Sequence, residues 1–511
     1  AVQKAQLTLL LVYASHFAFF YSFKTNREKI KFSIMQKVSV NPYIIKENEK
    51  ITITEEGEKY LSNILSDAKG DIYVFNEKAS PLMVAAAMAR LSRRSSDLRE
   101  IYLDEFAATG GDKAEELLQR VITDFGDDSV QQLLSISFVV ENASNILTKR
   151  LEWGRLAAYL EQSTRYIYFD VPNSKGRYKY FTPTNFSAGV KKIYEETLDA
   201  IFKLYSEVVH GITAYVQKNN PEPQDKRAKV AWRGATRAQA CDAARAMLPA
   251  ATTATVGIVG SGQALESLIL HLAADELPEA RDAGKKILTE CRKVAPVFFQ
   301  RADKPERGGA WVMHRIDNKK NLRTLAKKLL PVQKAMNSDE DVELIDFWPK
   351  DEFDLVADML WAEADELPIQ KIRAEVKKWP SEKQLEVFHA YIGKRLNRRH
   401  KPGRALELAH YHWQITGDYG TFRDLQRHRM VDRLEWQRLT PAYGYDVPAL
   451  VIEAGYKEKF IGAFALSEKL YKLIVQQGYE NEAQYATLMG HKMRYSFMLN
   501  ARAAFHFHEL R

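Results

Sequence analysis

The chain has 511 residues, with 74 Lys and Arg against 66 Asp and Glu, so its formal net charge is +8. A composition of 46% hydrophobic and 11% aromatic residues is that of an ordinary globular protein and excludes a disordered chain. The length allows two or three domains, and the modest positive charge suits anionic ligands such as nucleotides. Because no long basic run or RNA-binding signature is present, we expect no binding to nucleic acid.

The cysteine and histidine content argues against disulfide and metal chemistry. The two cysteines, Cys241 and Cys291, cannot form a disulfide framework or a cysteine-type zinc site, which favours a reducing compartment, and we expect the cytoplasm. His410 and His412 stand two apart on a predicted strand and could share a metal ion. No carboxylate or thiol completes a ligand set nearby, so a packed or exposed pair is the better interpretation.

The N-terminal segment is apolar from residue 7 to residue 23, but Ser15, His16 and Ser22 interrupt it. We interpret residues 1–35 as a leader or a misassigned start outside the fold, in preference to a targeting segment. No other stretch is long and apolar enough to span a bilayer, so no membrane partner is expected.

The elements that follow alternate between strands and helices and then restart. Phe75 lies 272 positions before Phe347, and the apolar residues that follow Phe75 match those after Phe347 at the same offset, which indicates two diverged copies. In the first copy the patterns predict strands at 72–75 and 133–140, and helices at 81–91, 112–122, 143–160, 191–216, 239–247, 264–273 and 279–294. A basic and polar bridge is predicted at 302–341, with its own helix at 322–330.

Three polar side chains alternate along residues 161–165. If this segment is extended, Glu161, Ser163 and Arg165 point to the same side. Arg can grip a phosphate with two donors, Ser adds a short hydrogen bond, and Glu can accept one from a base or sugar. A polar strand edge or a solvated loop is the alternative interpretation.

A second stretch, far downstream, links these three residues to a known sequence motif. Arg427-His428-Arg429 resembles the first part of the signature of the flavin-dependent thymidylate synthases, which is Arg-His-Arg, seven residues, then Ser-x-Arg-Tyr. The end of that signature is found at Ser163, and the seven residues before Ser163 are preceded in the first copy by Trp153-Gly154-Arg155. After Arg429 and seven further residues, the second copy has Gln437 in place of Ser. Each copy therefore departs from the family at a different end of the motif.

Other residues extend the resemblance, and each copy again lacks part of it. Arg245 to Pro249 match the family's Arg-x-x-Leu-Pro, but Ser261-Gly262-Gln263 replaces Asn-x-Arg. The second copy keeps Asn500 and Arg502 of Asn-x-Arg but has Gln484 in place of the Arg. By position the following residues also match family contacts: Ser92, Glu407 and Arg511.

The resemblance implies an α+β fold of two tandem domains, at 36–301 and 342–511, in a pseudo-dimeric arrangement. The linker would be 302–341, and the second domain ends earlier than the family helix. It also implies FAD as cofactor, with NADPH and methylenetetrahydrofolate as co-substrates, a dUMP-like nucleotide as substrate, and a homodimer that mimics a tetramer of single domains. The implied site residues are catalytic Arg165, Ser163 and Arg427; nucleotide-binding Glu161, Ser163, Arg165, Arg245 and Arg511; and flavin-binding Arg427, His428, Arg429, Glu407, Asn500, Arg502 and Ser92.

The losses in the two copies are complementary, which favours mixed sites built from both. The leading hypothesis is methylation of dUMP to dTMP. Two alternatives stay open at this point: an inactive scaffold that binds nucleotide or flavin, and a flavoenzyme that methylates another pyrimidine.

Overall fold

The computed structural model describes residues 41–47, 50–174, 176–330 and 340–510. The predicted leader at 1–35 and the predicted nucleotide contact Arg511 lie outside these residues.

The fold is α+β, with mixed helices and antiparallel sheets. The strands are β1 (Ile44–Glu47), β2 (Lys50–Ile53), β3 (Ser135–Ser144), β4 (Ala157–Glu161), β5 (Thr253–Ser261), β6 (Val342–Trp348), β7 (His410–Asp418), β8 (Arg433–Trp436) and β9 (Lys492–Asn500). The helices are α1 (Glu55–Ile64), α2 (Pro81–Leu91), α3 (Leu98–Ile101), α4 (Asp112–Leu118), α5 (Asp128–Gln131), α6 (Asn145–Leu151), α7 (Ala188–Asn219), α8 (Lys226–Ala244), α9 (Gly262–Ala273), α10 (Pro278–Val294), α11 (Ala310–Leu329), α12 (Val356–Trp361), α13 (Ile369–Val376), α14 (Ser381–Ile392), α15 (Tyr419–Gln426), α16 (Ala449–Glu453), α17 (Lys457–Gln476) and α18 (Ala501–Leu510).

The two halves repeat one topology. The first sheet has the strand order β3-β5-β4, and the second has β6-β7-β9-β8, so the second sheet contains the same three-strand arrangement with β6 added at its edge. In both halves the strand before the short helix ends in a capping residue. Ser144 accepts from the backbone N–H of the third residue after it and opens α6, while Asp418 does the same for α15. The chain therefore contains two tandem copies of one domain.

Reciprocal hydrogen bonds relate the two halves as in a pseudo-dimer. The backbone N–H of Ala250 donates to Thr487 O at 2.7 Å, and that of Met489 donates to Leu248 O at 2.8 Å. These bonds surround an antiparallel bridge between Pro249 and Leu488, which stand at matching places in the two copies. Such reciprocal contacts arise when two equivalent surfaces are related by a twofold axis.

The main hydrophobic core runs through both halves, and two smaller clusters lie in the second half. It includes Phe202 and Tyr205 on α7 and Phe460 and Phe464 on α17, all of them fully buried. The two long helices approach closely at Gly211, where an added Cβ would lie 1.9 Å from the Tyr456 hydroxyl. The halves thus stabilise one another through buried apolar area rather than through a linker alone.

Several expectations for local structure were wrong. The predicted helix at 143–160 is the end of β3, then α6, a turn and β4, because Ala157 to Glu161 pair with the central strand β5. The predicted strand at 72–75 forms one bridge, between Leu65 and Phe75, and its apolar Ile72 and Val74 lie exposed. Short apolar runs do not distinguish strand from helix, and tertiary pairing decided both cases. In the predicted bridge, the helix α11 is longer than the 322–330 expected for it.

Candidate functional site

The basic triplet of the second half stands where α15 ends. Asp418 accepts hydrogen bonds from the backbone N–H and the hydroxyl of Thr421, so the helix begins at a fixed place after β7. Arg427 is the C-cap residue and is directly followed by His428 and Arg429. Its guanidinium forms a close ion pair with the carboxylate of Asp424, one turn earlier on the same helix.

Asp424 also meets an arginine from the other half of the chain. Arg245, at the end of α8, places its Nη1 and Nη2 each 3.5 Å from the second carboxylate oxygen of Asp424. Burial alone would raise the pKa of the Asp424 carboxyl group. The positive charges of Arg245, Arg427 and Arg165 outweigh that effect and lower this pKa below its ordinary value. Guanidinium groups from both halves, those of Arg245 and Arg427, therefore contact one carboxylate, and the charge of Arg165 also acts on it.

Arg165 reaches this cluster from a turn, not from a strand. The condition that residues 161–165 are extended does not hold beyond Glu161, where β4 ends. Ser163 Oγ accepts the backbone N–H of Arg165 at 3.2 Å, and residues 164–166 form a turn. Ser and Thr hydroxyls commonly make this local bond and offer the backbone an alternative to the ladder. Within the described part of the chain, the guanidinium of Arg165 makes no hydrogen bond.

Glu161 lies deeper, at the boundary between the halves. Its Oε1 accepts from Arg423 of the second half at 2.8 Å, and its Oε2 accepts from Lys149 of the first half at 3.0 Å. The side chains of Glu161 and Lys149 are 3% and 1% exposed. Burial raises the pKa of the Glu161 carboxyl group, but the two cations outweigh burial and hold it well below its usual range. Both carboxylate oxygens are thus occupied by the protein itself.

A second buried acid, Glu152, lies beside the ion pairs of Glu161. Lys149 also contacts Glu152, whose carboxyl pKa is raised because burial outweighs the attraction of Lys149. The amide Nε2 of Gln426 donates to the backbone carbonyl of Lys149 at 2.6 Å and adds a further bond across the boundary. This buried polar group fixes the position of α15, and hence of the triplet, relative to the first half.

The rest of the triplet lies between the first half and α18. Arg429 Nη1 donates to the backbone carbonyl of Ala157 at 2.6 Å, and Arg155 Nη2 donates in return to Asp432 O at 2.7 Å. The ring of His428 lies 4.7 Å from that of Phe507 on α18. Arg429 and Arg155, which end the triplet and its counterpart in the first copy, therefore make equivalent hydrogen bonds to a backbone carbonyl of the opposite half.

The residues that the resemblance assigns to the flavin from α18 form a second group. Asn500 accepts from the backbone N–H of Ala503 and donates to Asp432 Oδ1 at 3.2 Å. Asp432 also holds the ring of His410 at 2.9 Å. A separate ion pair, at 3.0 Å, joins Arg502 to Glu407. These bonds order the start of α18 beside the triplet.

Ser92 lies apart from these groups. It is an exposed C-cap residue of α2, and its hydroxyl donates to the backbone carbonyl of Ala89 at 3.3 Å. The structure gives no contact between Ser92 and the other predicted site residues among those it describes.

Three side chains at the centre were not found from the sequence. Asp424 stands three residues before Arg427, a helical spacing that could have indicated the ion pair. Lys149 and Arg423 could not be found this way, because their role depends on how the two halves meet. Cys241 and Cys291 are buried, and burial raises their thiol pKa values to about 12 and about 11, which does not favour a nucleophile.

The described residues give no sign of a metal centre or a membrane span. Within the ranges that the structure covers, no three His, Cys, Asp or Glu side chains are grouped to hold a metal ion. The helices in those same ranges lack the length and apolar character that crossing a membrane requires.

Comparison with known proteins decides the family. The family described as thymidylate synthase complementing protein matches residues 74–297 and again residues 343–511. The chain belongs to this family. The double match agrees with the repeated topology and confirms the resemblance to flavin-dependent thymidylate synthases in two diverged copies.

Relatives of similar length and shorter ones both match. The UPF0159 protein of Chlamydia pneumoniae is 32% identical over 463 residues, which cover 87% of this chain and 85% of the relative. A flavin-dependent thymidylate synthase of Clostridium tetani is 23% identical over 225 residues, covering 43% of this chain and 82% of the relative. A thymidylate synthase X of Helicobacter pylori, solved with FAD and dUMP, is 19% identical with a TM-score of 0.31, covering 44% of this chain and 96% of that one.

Proposed function

We propose that this chain is a flavin-dependent thymidylate synthase that methylates dUMP to dTMP at a composite site shared by its two halves. The observation that carries the proposal is that Arg245 of the first half and Arg427 of the second both contact Asp424, while the charge of Arg165 also lowers the pKa of that carboxyl group. Sequence reasoning assigned all three arginines to the nucleotide or to catalysis, from two motif copies that are each incomplete.

The charge of this cluster suits a nucleoside monophosphate. Arg245 and Arg427 contact the carboxylate of Asp424, and Arg165 adds a third positive charge that acts on it. The largely exposed Asp242 contacts Arg245 at 3.2 Å. The excess positive charge, with Arg245 only 15% exposed, favours a phosphate dianion. Guanidinium groups can bind phosphate oxygens with two parallel hydrogen bonds, so the nucleotide would be oriented as well as held.

The donor set on the flavin side fits a dinucleotide cofactor. The ring of His428 lies 4.7 Å from that of Phe507, and the amide of Asn500 donates to Asp432. With the two guanidinium groups of the triplet, these side chains could meet charged, polar and aromatic parts of FAD. Residues proposed to hold FAD are Arg427, His428, Arg429, Asn500, Arg502 and Glu407. FAD would supply hydride chemistry, with methylenetetrahydrofolate as the carbon donor and NADPH as the reductant.

The protein's own part in the reaction is positioning and charge. Ser163, already turned toward the Arg165 backbone, would bond the nucleotide while Arg165 and Arg245 hold its phosphate. Arg427 would provide fixed positive charge where negative charge develops in the transition state, since a preformed charge needs no reorganisation at that moment. The predicted phosphate contact Arg511 would add to the same end of the nucleotide.

Loss of the proton at position 5 of dUMP tests this function. The purified chain, loaded with FAD and supplied with methylenetetrahydrofolate and NADPH, should release tritium from [5-³H]dUMP. Arg427→Ala should lower that rate by a factor of about a hundred or more, because it removes charge present in the transition state. Arg433→Ala, an exposed arginine on β8, serves as the control and should leave the rate unchanged. Flavin binding without tritium release would contradict the proposal.

A second candidate is a scaffold that binds nucleotide or flavin without catalysis. It is favoured by Glu161, a predicted nucleotide contact whose two oxygens are both taken by Lys149 and Arg423. A protein that is yellow from bound flavin and binds dUMP, yet leaves its 5-proton in place, would establish this alternative.

We further propose a homodimer in the cytoplasm, with domains at 36–301 and 342–511. An exposed apolar patch on the first sheet supports the dimer. Val139 on β3 and Leu160 on β4 both pair with Gly257 of the central strand, and they are 60% and 81% exposed. Apolar side chains that flank one strand on the same face of a sheet are typical of a surface that a partner covers.

A further inference from the structure

The first half contains a counterpart of the composite site, at the place where its triplet is degraded. Arg150 on α6 precedes Trp153 by three residues, as Asp424 precedes Arg427. Gln484, at the place equivalent to Arg245, accepts the backbone N–H of Leu439 at 3.2 Å. The counterpart therefore lacks the arginine that would hold a nucleotide from the second half.

Aromatic side chains of the chain fill one part of this counterpart. The ring of Trp153 lies 3.8 Å from that of His271 on α9, at an interplanar angle of 32°. Trp311, on α11, lies 4.9 Å from the same His271 ring. The His271 imidazole thus contacts both indoles where the first copy has its degraded triplet. Burial lowers the pKa of His271, which favours its neutral form.

The carboxylate of Glu276 lies in the other part of the counterpart site. The register of the two sheets matches Glu161 with Trp436, so Arg438, and not Gln437 as the motif spacing suggested, stands where Ser163 does in the first copy. Arg438 donates to both oxygens of Glu276 at 3.1 and 2.7 Å. From α11, Arg323 contacts the same carboxylate at 2.7 Å, and Lys319 lies 3.8 Å away. Glu276 is 14% exposed. Three cations from two separate parts of the chain thus converge on one acid.

We propose that Glu276 occupies a latent anion site in the counterpart and closes it to phosphate-bearing ligands. The chemistry is that of a phosphomonoester site, in which two guanidinium groups and an ammonium group would bind phosphate oxygens. This inference rests on the proposed function, because it takes the composite site to be the working one. Each chain then offers a single nucleotide site, because its own side chains fill the counterpart site.

The closing contact also fixes α11. Arg323 and Lys319 reach Glu276 from this helix, and Trp311 near its beginning contacts His271 in a tilted arrangement. The leucines Leu322, Leu325 and Leu329 on the same helix lie exposed, so apolar burial does little to hold it. Removing the acid should leave three like charges close together and loosen α11, unless an anion from solution takes its place.

The test uses inorganic phosphate and a chain whose working site is disabled. In the Arg245→Ala background, Glu276→Ala should gain about one bound phosphate per chain in calorimetry, since the three cations then lack their carboxylate. Its Tm should rise by several degrees when phosphate replaces chloride at constant ionic strength. Glu290→Ala, which removes an exposed acid paired with Lys293, is the matched control and should show neither effect.

The outcomes separate this inference from the proposed function. A folded Glu276→Ala chain that binds no phosphate and gains no Tm would overturn the latent site, whatever dUMP does at the composite site. If the variant folds only in phosphate, the inference is supported, because the ion replaces the lost acid. If it fails to fold equally in phosphate and in chloride, the inference is overturned. Failure of dUMP to bind the unchanged chain would instead count against the proposed function.

Discussion

Asp424 is the residue through which the two halves share charge. It holds Arg427 in a close ion pair on its own helix and meets Arg245 of the first half at 3.5 Å. A carboxylate between guanidinium groups keeps them near one another while no nucleotide is bound, although like charges would otherwise separate. The orientation of the site is therefore set by a residue outside the motif that reveals the family.

Glu161 contributes to stability through its buried ion pairs. Glu161→Gln should lower the free energy of unfolding by about 3 kcal/mol, because Arg423 and Lys149 would be left with less countercharge in a buried place. Urea unfolding followed by circular dichroism measures this change. Glu435→Gln, a surface acid on β8 that is 69% exposed, should cost about 0.5 kcal/mol or less. Equal costs for both variants would contradict the role given to Glu161.

At the scale of elements, α15 and the turn after β4 bring the site together. Tyr419, the first residue of α15, donates its hydroxyl to the backbone carbonyl of Asn145, which is the first residue of α6. The two short helices thus begin against each other, each placed by a capped strand end. The triplet after α15 and the Ser163 turn after β4 consequently lie on the same boundary.

The first sheet offers the element-scale prediction. Leu160→Lys should convert the proposed homodimer to a monomer, because it places a charge in the exposed apolar patch formed with Val139. Light scattering after size exclusion gives the mass directly. Ile72→Lys, at an apolar residue that is 89% exposed outside this sheet, is the control and should leave the mass unchanged. A monomer before any substitution would exclude the patch as a dimer interface.

Motifs carried the prediction of the fold further than local patterns did. Arg427 to Arg429, the Asn500 helix and the Arg245 segment identified two copies of one domain, and the long helix α7 followed from its apolar periodicity. The turn at Ser163 stayed one of two open interpretations, since period-two spacing of polar residues describes loops as well as strands.

The buried charges and the closed counterpart could not be predicted from the sequence. Both depend on side chains that are distant in the sequence and meet only when the halves pack, such as Glu161 with Arg423 and Glu276 with Arg438. In each case the residue types are ordinary surface types, and nothing in their local pattern marks them as buried partners.

For the whole molecule, the central claim is that the two halves build one nucleotide site. Arg165 belongs to the first half and Arg427 to the second. Replacing either arginine alone should therefore disable the same site. The chain offers Arg433 as a surface arginine whose loss should be silent.

Calorimetric titration of the FAD-loaded chain with dUMP tests this claim most directly. We expect about one dUMP per chain, with affinity reduced by a factor of about ten or more in both Arg165→Ala and Arg427→Ala, since each loses a charge-assisted hydrogen bond. Arg433→Ala should bind as the unchanged chain does. Two dUMP per chain, or full affinity in either of the first two variants, would contradict the shared site.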